Sequence, residues 1–375
     1  MKGKVYGKEW FDFTVHRLDG FIKQVLYNCS VSDAKYAGYY SVCGLALRLR
    51  DLYKWEKGLA PWIEEEPSII LEWIGSREDM WEKLTDKDLR SLAIAGRMYD
   101  PFDTRSVNDA MEPLGLFYGA GYVHGLKPTF FLARLEVKRT IHGCGVYILG
   151  HELARDLLGL PALTQDSSVV IRRQAGEHFL WNQMLYLKKS GRPALRYALQ
   201  QAHGITDLHP KALEGGLSRV FEGEMEAYIH HELGELYDRA FDRLIWRELI
   251  ATFPHTPIEL LARAVKDLLA DTNERGTLPY IVEERKNASL GFYVGFLDGL
   301  HRELFPEIVK AFDEFMEKEE WHIVEEAVST CRTRVMGYAQ AMSDIFQAAK
   351  KRGDMGWAED QIEKTLLEPL GIGKE

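Results

Sequence analysis

Cysteine is scarce: Cys29, Cys43, Cys144 and Cys331 are the four in 375 residues. No two form a C-x-x-C pair, which excludes a zinc-knuckle spacing and a thioredoxin-type redox motif. Four thiols are too few for a disulfide scaffold, so buried free thiols in a reducing compartment are expected. Long apolar runs are also missing. The longest, Gly115 to Val123, is about half of the roughly 20 residues needed to span a bilayer. The stretch Met1 to Trp10 has no apolar core of a signal peptide, so a soluble, cytoplasmic protein is expected. Positive charge is in deficit, with 47 Lys+Arg against 57 Asp+Glu and a net charge of −10. That balance disfavours a broad footprint for nucleic acid or anionic membrane.

Several nucleotide and hydrolase signatures are absent. There is no G-x-x-x-x-G-K-[ST], no strand–G-x-G-x-x-G–helix unit and no G-x-S-x-G elbow, which weighs against P-loop enzymes, Rossmann dehydrogenases and α/β-hydrolases. His151-Glu152 lacks the second histidine of a zinc-protease helix. His124 has no C-x-x-C-H to make it a haem ligand. Tyr36 to Trp62 interleaves aromatic and basic residues. In so acidic a chain this reads as a core face with snorkelling basic ends rather than a base-stacking surface.

What is present is 46% hydrophobic and 28% charged residues, the composition of a folded globular chain, and helical periodicity dominates it. Ser32 is read as the cap of a helix reaching Gly58, and Thr256-Pro257-Ile258-Glu259 as the strongest helix start in the chain. Further long helices are expected over about 216–253, 279–304 and 321–351. One segment differs: Ala133 to Lys138 alternates apolar and polar, and Ile141 to Gly145 could turn it back as a hairpin unless the helix continues. The expected fold is mainly α, a multi-helix bundle with at most a small β-hairpin near residues 130–149. The glycine- and proline-bearing stretch around His203 suggests helical domains at 1–203 and 204–375, or one continuous domain. Phe117 to Leu126 faintly echoes Phe292 to Leu300, read as close helix packing through glycines rather than duplication.

The chemistry is sought on the helix near 216–253. Glu222, Glu226 and His230 recur at i, i+4 and i+8 inside or beside the apolar arc of Met225, Ile229 and Leu233. A carboxylate on a buried face must be paired, protonated or bound to a cation. By the same phase, His230 is expected to be buried and His231 solvated. Asp298-x-x-His301 has the carboxylate-x-x-His form of helical di-metal bundles. Glu319-x-x-His322 has the spacing but points away from its helix's apolar side. These residues define a candidate metal site of Glu222, Glu226, His230, Asp298 and His301, with iron, manganese or zinc as the cation. The competing reading of the same residues is a structural set of buried hydrogen bonds. Two functions follow. One is a small-molecule enzyme or binding protein with a buried, metal-containing Glu/His site between helices. The other is a non-catalytic helical scaffold or interaction module.

Overall fold

A computed structural model describes residues 18–123, 127–206 and 213–372. Met1 to Trp10, His124 and part of the expected break after His203 lie outside the described residues. The chain divides into two compact units, Met1–Asn182 and Gln183–Glu375. Helix accounts for 65% of the structure, so mainly α holds as a class. A pure bundle does not, because the first unit is built on a curled five-stranded sheet. No helix among the described residues is long and apolar enough to cross a membrane.

The N-terminal unit opens with α1 (Asp19–Tyr36), α2 (Val42–Glu56) and α3 (Pro67–Glu82). Ser32 lies inside α1, and the cap of α2 is Ser41, whose hydroxyl accepts from the Gly44 N–H. A short hairpin, β1 (Leu92–Ile94) and β2 (Arg97–Tyr99), precedes α4 (Thr104–Met111). The main sheet follows with β3 (Leu116–Val123), β4 (Lys127–Ile141), β5 (Cys144–Arg155), β6 (Ala162–Gln165) and β7 (Ser168–Arg172), in spatial order β3-β4-β5-β7-β6. Only β5 and β7 run parallel. The expected hairpin is therefore real, with Ile141 opposite Cys144, but it is the centre of a larger sheet.

That sheet was hidden because β4 begins Lys127-Pro128-Thr129-Phe130-Phe131-Leu132-Ala133, buried on both faces. Such a strand reads as an apolar run without alternation. One face packs Phe130 and Leu132 against Phe21, Ile22 and Val25 of α1. The other gathers Phe117, Phe131, Leu149 and Val170 inside the curl. Gly119 leaves room there for the Phe131 ring, which a Cβ would meet at 2.0 Å. Gln165 on β6 bonds the backbone of Tyr118 and Ala120 on β3, tying the two sheet edges together. The turn residues His142 and Gly143 both have positive φ, the signature of a two-residue type I′ hairpin.

The C-terminal unit is helical. After α5 (Arg173–Leu185), which crosses the division, come α6 (Arg192–His203), α7 (Leu217–Tyr237), α8 (Arg243–Thr252), α9 (Pro257–Thr272), α10 (Thr277–Glu283), α11 (Asn287–Phe296), α12 (Gly299–Leu304), α13 (Pro306–Lys318), α14 (Trp321–Arg352) and α15 (Met355–Ile362). The start of α9 matches its sequence signal: the Thr256 hydroxyl accepts from the Glu259 N–H at 3.4 Å, and Glu259 accepts from the His255 N–H at 2.7 Å. α14 is unbroken and buries Val324, Val328, Cys331, Val335, Met342 and Phe346 against α9 and α13. Two expected long helices are broken instead. Asp242 caps a new helix within 216–253, and 279–304 is split among α10, α11 and α12. The Phe117/Phe292 echo joins a strand to a helix, so it marks no repeat. Gly291 and Gly295 do bring α11 close to α6, where a Cβ on Gly291 would meet the Ala194 carbonyl at 2.9 Å.

Candidate metal centre between two helices

α7 and α9 cross at Gly234. A Cβ there would stand 2.1 Å from the Ala270 carbonyl oxygen, so only glycine permits this approach. Asn273 fastens the crossing by donating to the carbonyls of Gly234, Leu269 and Ala270. The geometry brings the residues around Gly234, His231 and Glu235, against those around Ala270, Asp267 and Asp271. One ligand atom each from His231, Glu235 and Asp267 lies within 4.8 Å of the others, and all three side chains are half-buried. Among the described residues this is the group of three or more His, Cys or acidic side chains so disposed.

The surroundings orient the three. His231 Nδ1 is 2.8 Å from Asp271 Oδ1. Asp271 fixes the ring through Nδ1; Nε2 becomes a donor atom for a cation only by losing the proton that the surrounding acids favour. Tyr293 holds the other Asp271 oxygen at 3.0 Å. Lys266 Nζ lies 2.8 Å from Glu235. His301 Nε2 lies 3.2 Å from Asp267 Oδ2. Buried Glu232 adds a further acid.

Negative charge governs the cluster. Burial works against a charged ring at His231, but Asp271, Glu232 and Glu235 together raise it to about 10. Burial pushes Glu232 itself up to about 7. Asp267 is held below the usual carboxylate range, against the effect of burial, by the His301 hydrogen bond and the charge on His231. A mixed imidazole–carboxylate set with surplus negative charge is the donor chemistry of iron, manganese and zinc sites.

The residues expected from sequence are placed differently. No three of Glu222, Glu226, His230, Asp298 and His301 bring donor atoms together in the way His231, Glu235 and Asp267 do. Glu222 is exposed and Glu226 half-buried. His230 stacks on Tyr280 at 4.2 Å and meets the Arg275 carbonyl through Nδ1. Asp298 precedes α12 rather than lying on it; its exposed carboxylate caps that helix and pairs with Lys188. His301 alone reaches the new cluster, through Asp267. The expected contrast of a buried His230 and a solvated His231 does not hold, since both are half-buried. α7 buries a wider arc than its aliphatic residues mark, including Glu224, Glu232 and Gly234. The sequence signal for this cluster is His231-x-x-x-Glu235 on α7 with Asp267 on α9; the two α7 residues read as solvated because their neighbours are charged.

The chain thus comprises a curled-sheet unit and a helical unit that carries an acid-rich close helix contact. The chain matches the family of unknown function DUF6866, its N-terminal domain over residues 20–172 and its C-terminal domain over 177–365. It belongs to that family. No curated protein and no solved structure matches it.

Proposed function

We propose that the C-terminal unit binds one divalent iron, manganese or zinc ion on His231, Glu235 and Asp267, and acts through it on a small molecule. The observation that carries this reading is the meeting of one imidazole and two carboxylates from two helices within 4.8 Å. Three protein donors leave coordination positions for water or substrate, the arrangement of a catalytic rather than a closed structural site. There the ion would polarise a bound oxygen or activate a water. His301 would hold the Asp267 carboxylate from behind, and Asp271 would fix the His231 ring, as outer partners do in metal centres.

The test is metal content of the untagged protein by plasma mass spectrometry, after native purification and after reconstitution with each ion. Near-stoichiometric metal in the wild type is expected, with Glu235→Gln and Asp267→Asn each lowering affinity by about 10-fold or more. Glu222→Gln, at an exposed position, should change nothing. A wild type that holds no iron, manganese or zinc after reconstitution overturns the reading and leaves the helices a structural or interaction role.

A further inference from the structure

The N-terminal unit buries a second charged cluster, of opposite character. Glu152 on β5 accepts from Arg172 Nε at 2.7 Å, and its other oxygen stands 3.5 Å from Arg155 Nη1. All three side chains are at most 2% exposed. Arg172 also donates from Nη1 to the Leu158 carbonyl, and its guanidinium lies over the Phe131 ring at 4.3 Å. Two guanidiniums thus share the Glu152 carboxylate, with Asp51 and Asp156 as the further acids near Arg155.

Donors are left over. The Glu152 oxygen and Arg155 Nη1 can close their own 3.5 Å gap by a small rotation. Arg155 Nε, Arg172 Nη2 and His178 Nδ1 are buried and have no hydrogen-bond partner. Buried donors without partners each cost about 1–3 kcal/mol, so native interiors satisfy them. A guanidinium can only donate, so whatever completes this cluster must be an acceptor. The field is positive at His178 as well: burial first, then Arg155, Lys54 and Arg50, push its ring down to about 3. His178 is therefore neutral and able to donate from one nitrogen.

A cleft adjoins the cluster. It has a volume of about 590 Å³ and is lined by Ser30, Trp55, Lys57, Arg77, His151 and Glu152, among others. It touches the cluster at Glu152, whose backbone carbonyl receives the Trp55 indole N–H at 3.1 Å, while Arg155, Arg172 and His178 lie outside its lining. Lys57 and His151 stand at the mouth, together with the Arg77–Glu56 ion pair.

We propose that the N-terminal unit binds a small anionic molecule by its carboxylate or phosphate group, with the oxyanion seated on the partnerless donors of Arg155, Arg172 and His178. Glu152 then serves to hold the two guanidiniums together. Bidentate guanidinium forks suit either oxyanion.

The test uses the full chain with arginine side chains labelled with nitrogen-15, titrated separately with acetate and with inorganic phosphate to about 20 mM, a range that covers millimolar affinity. Two buried Arg Nε–H resonances should shift in a saturable way with at least one probe, and the probe that saturates first identifies the oxyanion. Calorimetry on Arg155→Gln and His178→Gln should show affinity reduced by about 10-fold or more for the first and by a smaller factor for the second. If Arg155→Gln fails to fold, the wild-type resonances and His178→Gln still decide. No saturable shift with either probe would assign the leftover donors to buried water and overturn the proposal. So would a shift confined to exposed arginines, or equal affinity in wild type and variants. Metal binding by the C-terminal unit is measured independently and is not altered by either result.

Discussion

Lys127→Met should destabilise the N-terminal unit more than any surface change, and in a pH-dependent way. The Lys127 ammonium lies 2.8 Å from Asp33 and 3.8 Å from Asp156, and all three side chains are at most 3% exposed. Burial opposes its charge, but the two carboxylates hold its pKa above the ordinary lysine value. Each acid also has backbone donors: Leu157 N–H for Asp33, Phe130 and Leu158 N–H for Asp156. Methionine keeps most of the volume and removes the only ammonium that both acids share. Breaking a buried pair from one side costs about 3–5 kcal/mol. A second route gives a similar figure. The variant can relieve itself by protonating one aspartate, and doing so at pH 7 from an ordinary pKa near 3.9 costs about 4 kcal/mol. Burial already raises Asp33 of the folded wild type to about 6, so the gap to wild type should narrow by about 1.4 kcal/mol per unit as pH falls from about 8 to 7, and by less toward 6, where wild type takes up the same proton. Hydrogen exchange of the β4 amides in the full chain, in low urea, reads the stability of this unit alone. The double variant with Asp33→Asn should lose less than the sum of the singles. A loss below about 1 kcal/mol, or a gap independent of pH, would refute the claim that this lysine is a buried countercharge.

Three other outcomes follow from the structure. Gly234→Ala places a methyl 2.1 Å from the Ala270 carbonyl; forcing the helices apart should cost about 1–3 kcal/mol and lower bound metal, and an unchanged urea midpoint would show that the crossing is looser than described. His178 is 4% exposed and lowered to about 3, below its unfolded value near 6.5. Its contribution is therefore complete above pH 6.5 and is lost as pH falls toward 3, by up to about 1.4 kcal/mol per unit; His178→Gln should flatten that part of the stability–pH curve, and an identical slope in both proteins would count against a neutral buried ring. Arg332 donates to Asp238 at 2.6 Å and to the Leu269 carbonyl at 2.8 Å, so Arg332→Met should destabilise α9 against α14 by about 1–3 kcal/mol, measured by exchange of the α9 amides, whereas a surface role would leave them unchanged.

The helical half was largely legible. Thr256-Pro257 and the apolar rows of α9 and α14 are local signals, and local signals survive in the fold. The sheet was not, because β4 alternates only in its outer half, and its buried half looks like any core segment. Asp242 and Asp298 were also misread, each for the same reason: an acid that caps a new helix is indistinguishable by spacing from an acid inside a continuing one. The buried charges of the N-terminal unit left almost no trace. Lys127, Glu152 and Arg172 sit among apolar residues on three strands, and only pairing across the sheet shows that they answer one another.

The cluster on α7 begins one residue from the expected His230, and the cause lies in what a phase calculation measures. Aliphatic residues locate the side of a helix that faces the main core. They do not locate a face that meets another helix through a glycine. Gly234 removes a side chain where α7 touches Ala270, so the contact adds nothing to an apolar arc. The residues flanking it are free to be polar, because at this distance they meet each other rather than the core. His231 then finds Asp271, Glu235 finds Lys266, and Asp267 finds His301. A helix turns about 100° per residue, which is enough to move the imidazole from the Tyr280 ring at His230 to the acids of α9 at His231. A charged face that carries a buried glycine therefore has two origins, solvent or a close polar crossing, and only the partner helix tells them apart. Here the partner supplies two aspartates, and the acid surplus that made the face look solvated is the property that suits it to a cation.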